Sequence, residues 1–129
     1  MGPTPQVFLS HAAEDSFEAG LLQRVLESEM PVKVWAYVRD QERGNGTVAA
    51  NMLKAIADAR AAVFLVSPST LDSGLTQCYE LGCFDTRKIP CFVLLHHMTY
   101  NEMLASGRTP PPLIGRDCIP AGSRSRSKR

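Results

Sequence analysis

The chain has 129 residues, 44% of them apolar, which suffices for one domain to bury a core without disulfide or metal support. Four of the fourteen basic residues and none of the thirteen acidic ones lie in residues 124–129, so the remaining body has a net charge of −3. This acidic body argues against a nucleic-acid binder, and no apolar run approaches the roughly 20 residues of a membrane span.

The cysteines and histidines predict neither disulfides nor a structural metal. Residues 1–6 form a short, proline-rich stretch that lacks the pattern of a signal peptide. This favours reduced thiols and a cytoplasmic location. No cysteine pair has the C-x₂-C spacing of a zinc site, and the histidines do not complete such a set. We interpret the pair His96-His97 as strand-end packing. The residues concerned are Cys78, Cys83, Cys91, Cys118, His11, His96 and His97.

The first third of the chain predicts two strands around one helix. Residues 7–9 are continuously apolar, as in a central strand, and Ser10-His11 ends them. A helix is predicted over 16–29, with Asp15 as its N-cap. Residues 32–37 alternate in polarity, which is typical of a strand near the edge of a sheet. The apolar face of the helix is predicted to consist of Phe17, Leu21, Leu22, Val25 and Leu26.

The rest of the chain continues the alternation. Residues 39–46 form a polar, glycine-containing loop, and Thr47 is the predicted cap of a second helix. Residues 61–66 are apolar throughout and predict the buried centre of the sheet. A third helix holds Glu80 and ends near Gly82 or slightly later. The remaining predicted elements are a fourth strand at 91–95, a short helix within 98–106 and at most a short fifth strand within 113–119.

These elements predict an α/β fold, a flavodoxin-like doubly wound parallel sheet with strand order 2-1-3-4-5 and a short or incomplete fifth strand and helix. We assign the domain to residues 6–120 and interpret 121–129 as a basic disordered tail or linker. Ligands of such sheets bind at the carboxyl ends of the strands where the winding reverses. Ser10-His11, the loop after Tyr37 and residues 67–80 should meet there.

The same three segments resemble the sequence boxes of Toll/interleukin receptor (TIR) domains. VFLSH at 7–11 resembles the first box, and Arg39-Asp40 with Gly44 resembles the second, the BB loop. Residues 55–82, which include AAVFLVSPSTLDSG and CYELG, are similar to the third strand and the helix that follows it in the family. The resemblance spans residues 6–97 and is closest to the bacterial-type members that cleave NAD⁺.

The resemblance implies an NAD⁺ glycohydrolase that uses NAD⁺ as substrate and needs no cofactor. The essential glutamate of the family corresponds to Glu80. The tryptophan that the family usually has a few residues before it is absent, and Leu75, Thr76 and Gln77 lie in that neighbourhood. Such domains cleave the nicotinamide–ribose bond, giving ADP-ribose or a cyclised product. They act on self-association as effectors in immune or stress signalling, often fused or bound to a sensor domain. The expected substrate contacts are Ser10, His11, Arg39, Asp40, Ser67 and Leu75.

Two other functions stay open from the sequence. A non-catalytic TIR module would bind other TIR domains through residues 39–46, and Glu80 would then be an ordinary helix carboxylate. A nucleoside deoxyribosyltransferase would also use a glutamate on a similar sheet. A phosphoacceptor receiver is excluded, because Ser10-His11 and Ser67-Pro68 occupy the positions where it needs aspartates.

Overall fold

The computed structural model describes residues 4–36, 48–73, 75–109 and 113–120, with side chains at all but 48–52, 73, 75–76 and 78–79. The predicted loop at 39–46, its cap Thr47 and the tail 121–129 lie outside the described residues. Within the described ranges, no helix has the length and apolar character needed to cross a membrane.

A five-stranded parallel sheet in the order β2-β1-β3-β4-β5 forms the centre of the fold. The predicted fold class and strand order are therefore confirmed, including the short fifth strand and the edge position of the second. The strands are β1 (Gln6–Ser10), β2 (Lys33–Ala36), β3 (Ala59–Val66), β4 (Cys91–Leu95) and β5 (Cys118–Pro120). The helices are α1 (Ser16–Glu29), α2 (Val48–Asp58), α3 (Pro68–Ser73), α4 (Leu75–Thr86) and α5 (Tyr100–Ala105). As predicted, a helix that follows β3 holds Glu80; it is α4, and α3 lies between β3 and α4 in the chain.

The pleat of the sheet sorts its apolar side chains into two cores. Phe8 and Phe64 face a core shared with α2 and α4, which contains Ile56, Leu81 and Phe84. Leu9 and Leu65, one position further along each strand, face a second core beneath α1. Successive strand residues point to opposite faces of a sheet, so the same alternation decides on which face a side chain at a strand end emerges.

Helix α1 has the predicted bounds, but only part of its predicted apolar face is packed: Leu22 and Leu26 contact the core beneath α1, whereas the other members are exposed. Phe17 is 74% exposed and Val25 54% exposed, although both belong to the predicted apolar face. The buried residues are instead Ala19 and Gln23, and the Gln23 amide donates a 2.7 Å hydrogen bond to the Val34 carbonyl. The helix turns this narrow face to β2 because Ala19 permits a close approach and Gln23 satisfies a polar atom of the strand.

The carboxyl-terminal part is anchored to the core behind α4. Thr99 and Glu102 cap α5 reciprocally, as in a capping box. After α5, the side chain of Leu113 is 3% exposed and belongs to the core shared with α2 and α4. Arg116 forms a 2.7 Å ion pair with Asp85 of α4. These contacts place the short strand β5 beside β4.

Candidate functional site

The carboxyl of Glu80 lies at the carboxyl end of β1. Its side chain is 3% exposed, and its Oε1 accepts a 2.6 Å hydrogen bond from the hydroxyl of Ser10, the last residue of β1. Ser10 emerges on the same face as Phe8, which lies two positions earlier and packs against Phe84. The structure therefore brings together two of the predicted site residues, 70 positions apart in the chain.

This setting makes the charge of Glu80 sensitive to pH near neutrality. Burial raises the pKa of the Glu80 carboxyl from 4.5 to about 7, and the hydrogen bond from Ser10 opposes part of that rise. Near neutral pH both forms are populated. The ionised form can stabilise a positive charge that develops beside it, and perturbed carboxyl groups at a strand end are frequent at functional sites.

Ser67 lies on the opposite face of the sheet from Ser10. It follows β3 with the same parity as Leu65, which faces α1, and its hydroxyl donates a hydrogen bond to the carboxylate of Asp15. Ser67 and Asp15 are 1% and 6% exposed. The structure therefore pairs Ser67 with Asp15 and does not bring it to Glu80. Asp15 does occupy the N-cap position of α1, but its side chain makes no cap hydrogen bond, so the predicted capping role is wrong.

Two buried residues that we did not single out from the sequence connect β3 to α4. The Thr70 hydroxyl donates to the Gln77 side chain at 2.8 Å, and the Gln77 amide donates to the Leu65 carbonyl at 3.0 Å. Thr70 also accepts a 3.1 Å hydrogen bond from the backbone N–H of Ser67. Gln77 precedes Glu80 by three positions, almost one helical turn, so this chain of hydrogen bonds fixes the helix that carries the carboxyl. Polar residues between two apolar runs were the only signal for it in the sequence.

His11 is turned toward α1. Its Nδ1 lies 2.8 Å from the carbonyl oxygen of Ala12, and because a carbonyl only accepts, Nδ1 carries the proton. The ring lines a cavity of about 180 Å³ together with Gln23 and Ala36. Among the other predicted contacts, Arg39, Asp40 and the side chain of Leu75 lie outside the described residues. The roles predicted for all of these residues stay predictions.

The parallel, flavodoxin-like sheet makes this chain a doubly wound α/β protein, and a buried carboxyl lies where its strand order reverses. Comparison with known proteins identifies the family: the model of the TIR domain matches residues 7–99. The chain belongs to the TIR domain family. A search of curated proteins returned no match.

Two solved structures share this fold. The TIR domains of the activated Roq1 resistosome, which directly recognises the pathogen effector XopQ, superpose with a TM-score of 0.65 at 19% identity over 80% of this chain. A metazoan TIR-STING receptor from C. gigas in complex with 2′,3′-cGAMP gives a TM-score of 0.70 at 20% identity over 95% of this chain. The matches span 64% of the Roq1 chain and 37% of the TIR-STING chain.

Proposed function

We propose that this TIR domain is an NAD⁺ glycohydrolase in which Glu80 is the catalytic residue. The observation that carries the proposal is the buried carboxyl of Glu80, held by Ser10 at the end of β1 where the winding of the sheet reverses. Membership of a family that includes NAD⁺-cleaving enzymes supports it. NAD⁺ is the substrate, and the reaction requires no further cofactor.

The chemistry asks for one well-placed negative charge. The bond between nicotinamide and C1′ of the ribose breaks, and nicotinamide leaves as a neutral base with the bonding electron pair. Positive charge then develops on the ribose as an oxocarbenium ion. The ionised Glu80 carboxylate stabilises that charge, while Ser10 keeps the carboxylate in position. Water attacks C1′ and releases its proton to solvent, which gives ADP-ribose; attack by the adenine of the substrate gives a cyclised product.

The test compares nicotinamide release from NAD⁺ by the wild-type chain, Glu80→Gln and the matched control Glu29→Gln, at high protein concentration with a crowding agent. Glu29 is exposed at the end of α1. The glutamine at position 80 can still accept the Ser10 hydrogen bond but carries no charge. We expect Glu80→Gln to lose at least about 100-fold in rate, as when one charge-stabilising group is removed from an active site, while the control retains wild-type activity.

The pH dependence provides a second readout. The carboxyl must be ionised to stabilise a cation, so the wild-type rate should rise as pH increases through about 7. Equal rates for Glu80→Gln and wild-type protein, or no nicotinamide release by the folded wild-type chain, would refute the proposal. Release of base from a deoxynucleoside but not from NAD⁺ would instead identify a nucleoside deoxyribosyltransferase.

A non-catalytic TIR interaction module is the second candidate. Phe17, Leu21 and Val25 are 74%, 44% and 54% exposed and follow one another at four-residue spacing on α1, an apolar stripe that suits contact with a second copy of the domain. The resistosome assembly of the Roq1 relative supports such self-association. If this is the function, Glu80→Gln is silent in signalling, and Phe17→Ser with Leu21→Ser lowers the association measured by light scattering.

The cellular setting follows from the same proposal. We infer a cytoplasmic effector of immune or stress signalling that becomes active on self-association, with a fused or partner sensor domain supplying the signal. The BB loop at 39–46 would complete the site or the contact between copies, and the basic tail would serve as a linker. Neither a membrane nor a nucleic acid is a proposed partner.

A further inference from the structure

A second cluster of polar side chains lies on the α1 side of the sheet, where β4 ends. His96 directly follows β4 with the same parity as Leu94, which packs in the core beneath α1. Its ring therefore emerges on that face, toward Glu18 of the first helical turn. Neither His96 nor Glu18 belongs to the pair formed by Ser10 and Glu80 on the opposite face.

The backbone at His97 brings a second imidazole to the same place. Neighbouring residues of an extended strand point in opposite directions, but His97 has φ of 65° and breaks that alternation. Its ring centroid lies 3.8 Å from that of His96. A left-handed conformation is uncommon for a residue other than glycine and is retained where the surroundings require it. Here its consequence is a pair of adjacent imidazoles on one side of the chain.

The Nε2 atom of His96 is buried and has no hydrogen-bond partner among the described residues. The Oε2 atom of Glu18 is 3.7 Å away, which is too long for a hydrogen bond. A buried polar atom without a partner is costly and therefore uncommon in folded proteins. This atom, which points at a carboxylate beside a second imidazole, has the environment of a ligand to a cation.

The spacing of the three groups agrees with that interpretation. One ligand atom each from Glu18, His96 and His97 lies within 4.8 Å of the other two. Two ligands at about 2.0–2.1 Å from a tetrahedral zinc ion are about 3.3 Å apart. The separation of 3.7 Å between His96 Nε2 and Glu18 Oε2 is close to this value, and the third ligand atom belongs to His97, whose side chain is exposed.

We propose that Glu18, His96 and His97 form a binding site for a divalent transition-metal ion, with Zn²⁺ as the preferred class. Two imidazoles and one carboxylate are a ligand set that zinc uses in sites with a fourth, open position. The site opens into a groove of about 540 Å³ whose walls include Leu22, Leu94 and Ile119. The open position of the ion faces this groove and accepts water or a small anionic ligand. The sequence had indicated only strand-end packing for the histidines.

The test titrates the chelator-treated full chain with Zn²⁺ by calorimetry and with Co²⁺ by absorption spectroscopy. We expect one ion per chain and a cobalt spectrum without a thiolate charge-transfer band, since no cysteine is among the ligands. His97→Asn and Glu18→Gln should weaken binding at least about 100-fold, because even loss of a residue that only supports a ligand costs 10- to 100-fold. We expect His97→Asn to preserve the fold, since asparagine tolerates the left-handed backbone at this exposed position.

The third histidine of the sequence provides the matched control. His11 lies in a separate cavity, and His11→Asn should bind Zn²⁺ like the wild-type chain. Far-ultraviolet circular dichroism of each variant without metal establishes that it is folded. Unchanged Zn²⁺ affinity in a double variant of His96→Asn and His97→Asn would overturn the proposal. A thiolate band in the cobalt spectrum, or no stoichiometric binding by the wild-type chain, would do so as well.

Discussion

At the scale of single residues, burial of the Glu80 carboxyl lowers the free energy of unfolding at any pH where this group is ionised in the unfolded chain. Burial raises the pKa of this group to about 7 from the 4.5 of an exposed glutamate. Between these two values the folded chain holds a proton that the unfolded chain has released. Stability is therefore lost as pH rises through the folded-state pKa. A buried group that costs stability when charged is more readily explained by function than by packing.

Replacement of Glu80 by glutamine should therefore remove a pH-dependent loss of stability. We expect the difference in free energy of unfolding between Glu80→Gln and wild type to shift by about 2–3 kcal/mol in favour of the variant from pH 5 to pH 8. One pKa unit corresponds to about 1.4 kcal/mol. Urea unfolding at the two pH values measures it. Glu29→Gln, at an exposed position, serves as the control and should show no such trend. A flat difference for Glu80→Gln would mean that the carboxyl has an ordinary pKa in the folded chain.

At the scale of secondary-structure elements, apolar periodicity located the helix α1 and the packing of Leu22 and Leu26, but it wrongly included the exposed residues 17, 21 and 25 in the packed face. Residues 17, 21 and 25 fit a helical stripe as well as the buried set does. The packed face depends on Ala19, which is small, and on Gln23, whose amide hydrogen-bonds to β2. Hydrophobicity gives neither residue much weight. A burial pattern set by close approach and by one hydrogen bond is therefore not visible in the spacing of large apolar side chains.

Two substitutions on α1, one at a buried position and one at an exposed position, test which side of the helix packs against the sheet. Ala19→Leu adds volume at a position that is 1% exposed and should lower the free energy of unfolding by about 1–3 kcal/mol through overpacking against β2. Phe17→Ser removes a large apolar side chain that is 74% exposed and should change it by less than about 0.5 kcal/mol. Thermal or urea unfolding measures both. The reverse order of effects would show that Phe17, and not Ala19, lies in the packed face of the helix.

The strands were easier to predict than the directions in which their end residues point. Continuous apolar runs marked β3 and β4 because both faces of a central parallel strand are covered. Ser10 and Ser67 both follow such runs, and we expected them at one site. They emerge on opposite faces because Ser10 has the parity of Phe8 and Ser67 that of Leu65. Which apolar residue faces which layer is decided by the packing of helices, so the sequence could place Glu80 at the strand ends but not sort its neighbours.

At the scale of the whole molecule, the segment that leads to β5 either unfolds together with the sheet as one cooperative unit or unfolds independently of it. Leu113 is 3% exposed within the core shared with α2 and α4, whereas its neighbour Ile114 is 59% exposed. The Gly115 N–H donates a 2.7 Å hydrogen bond to the Tyr100 hydroxyl, which adds a second tie to α5. These contacts indicate that the segment folds together with the sheet.

Leu113→Ala and Ile114→Ala test that cooperativity with a probe at the far edge of the sheet. The only tryptophan, Trp35, lies on β2 and stacks on Phe8 with ring centroids 5.1 Å apart, while β5 forms the other edge. We expect Leu113→Ala to lower the free energy of unfolding by about 2–5 kcal/mol because it leaves a cavity in the core. Ile114→Ala, at an exposed position, should cost less than about 0.5 kcal/mol. In a two-state molecule, Trp35 fluorescence and far-ultraviolet circular dichroism report the same midpoint for each variant. An early dichroism transition in Leu113→Ala, with the fluorescence midpoint unchanged, would instead make the segment a separate unit that unfolds without the sheet.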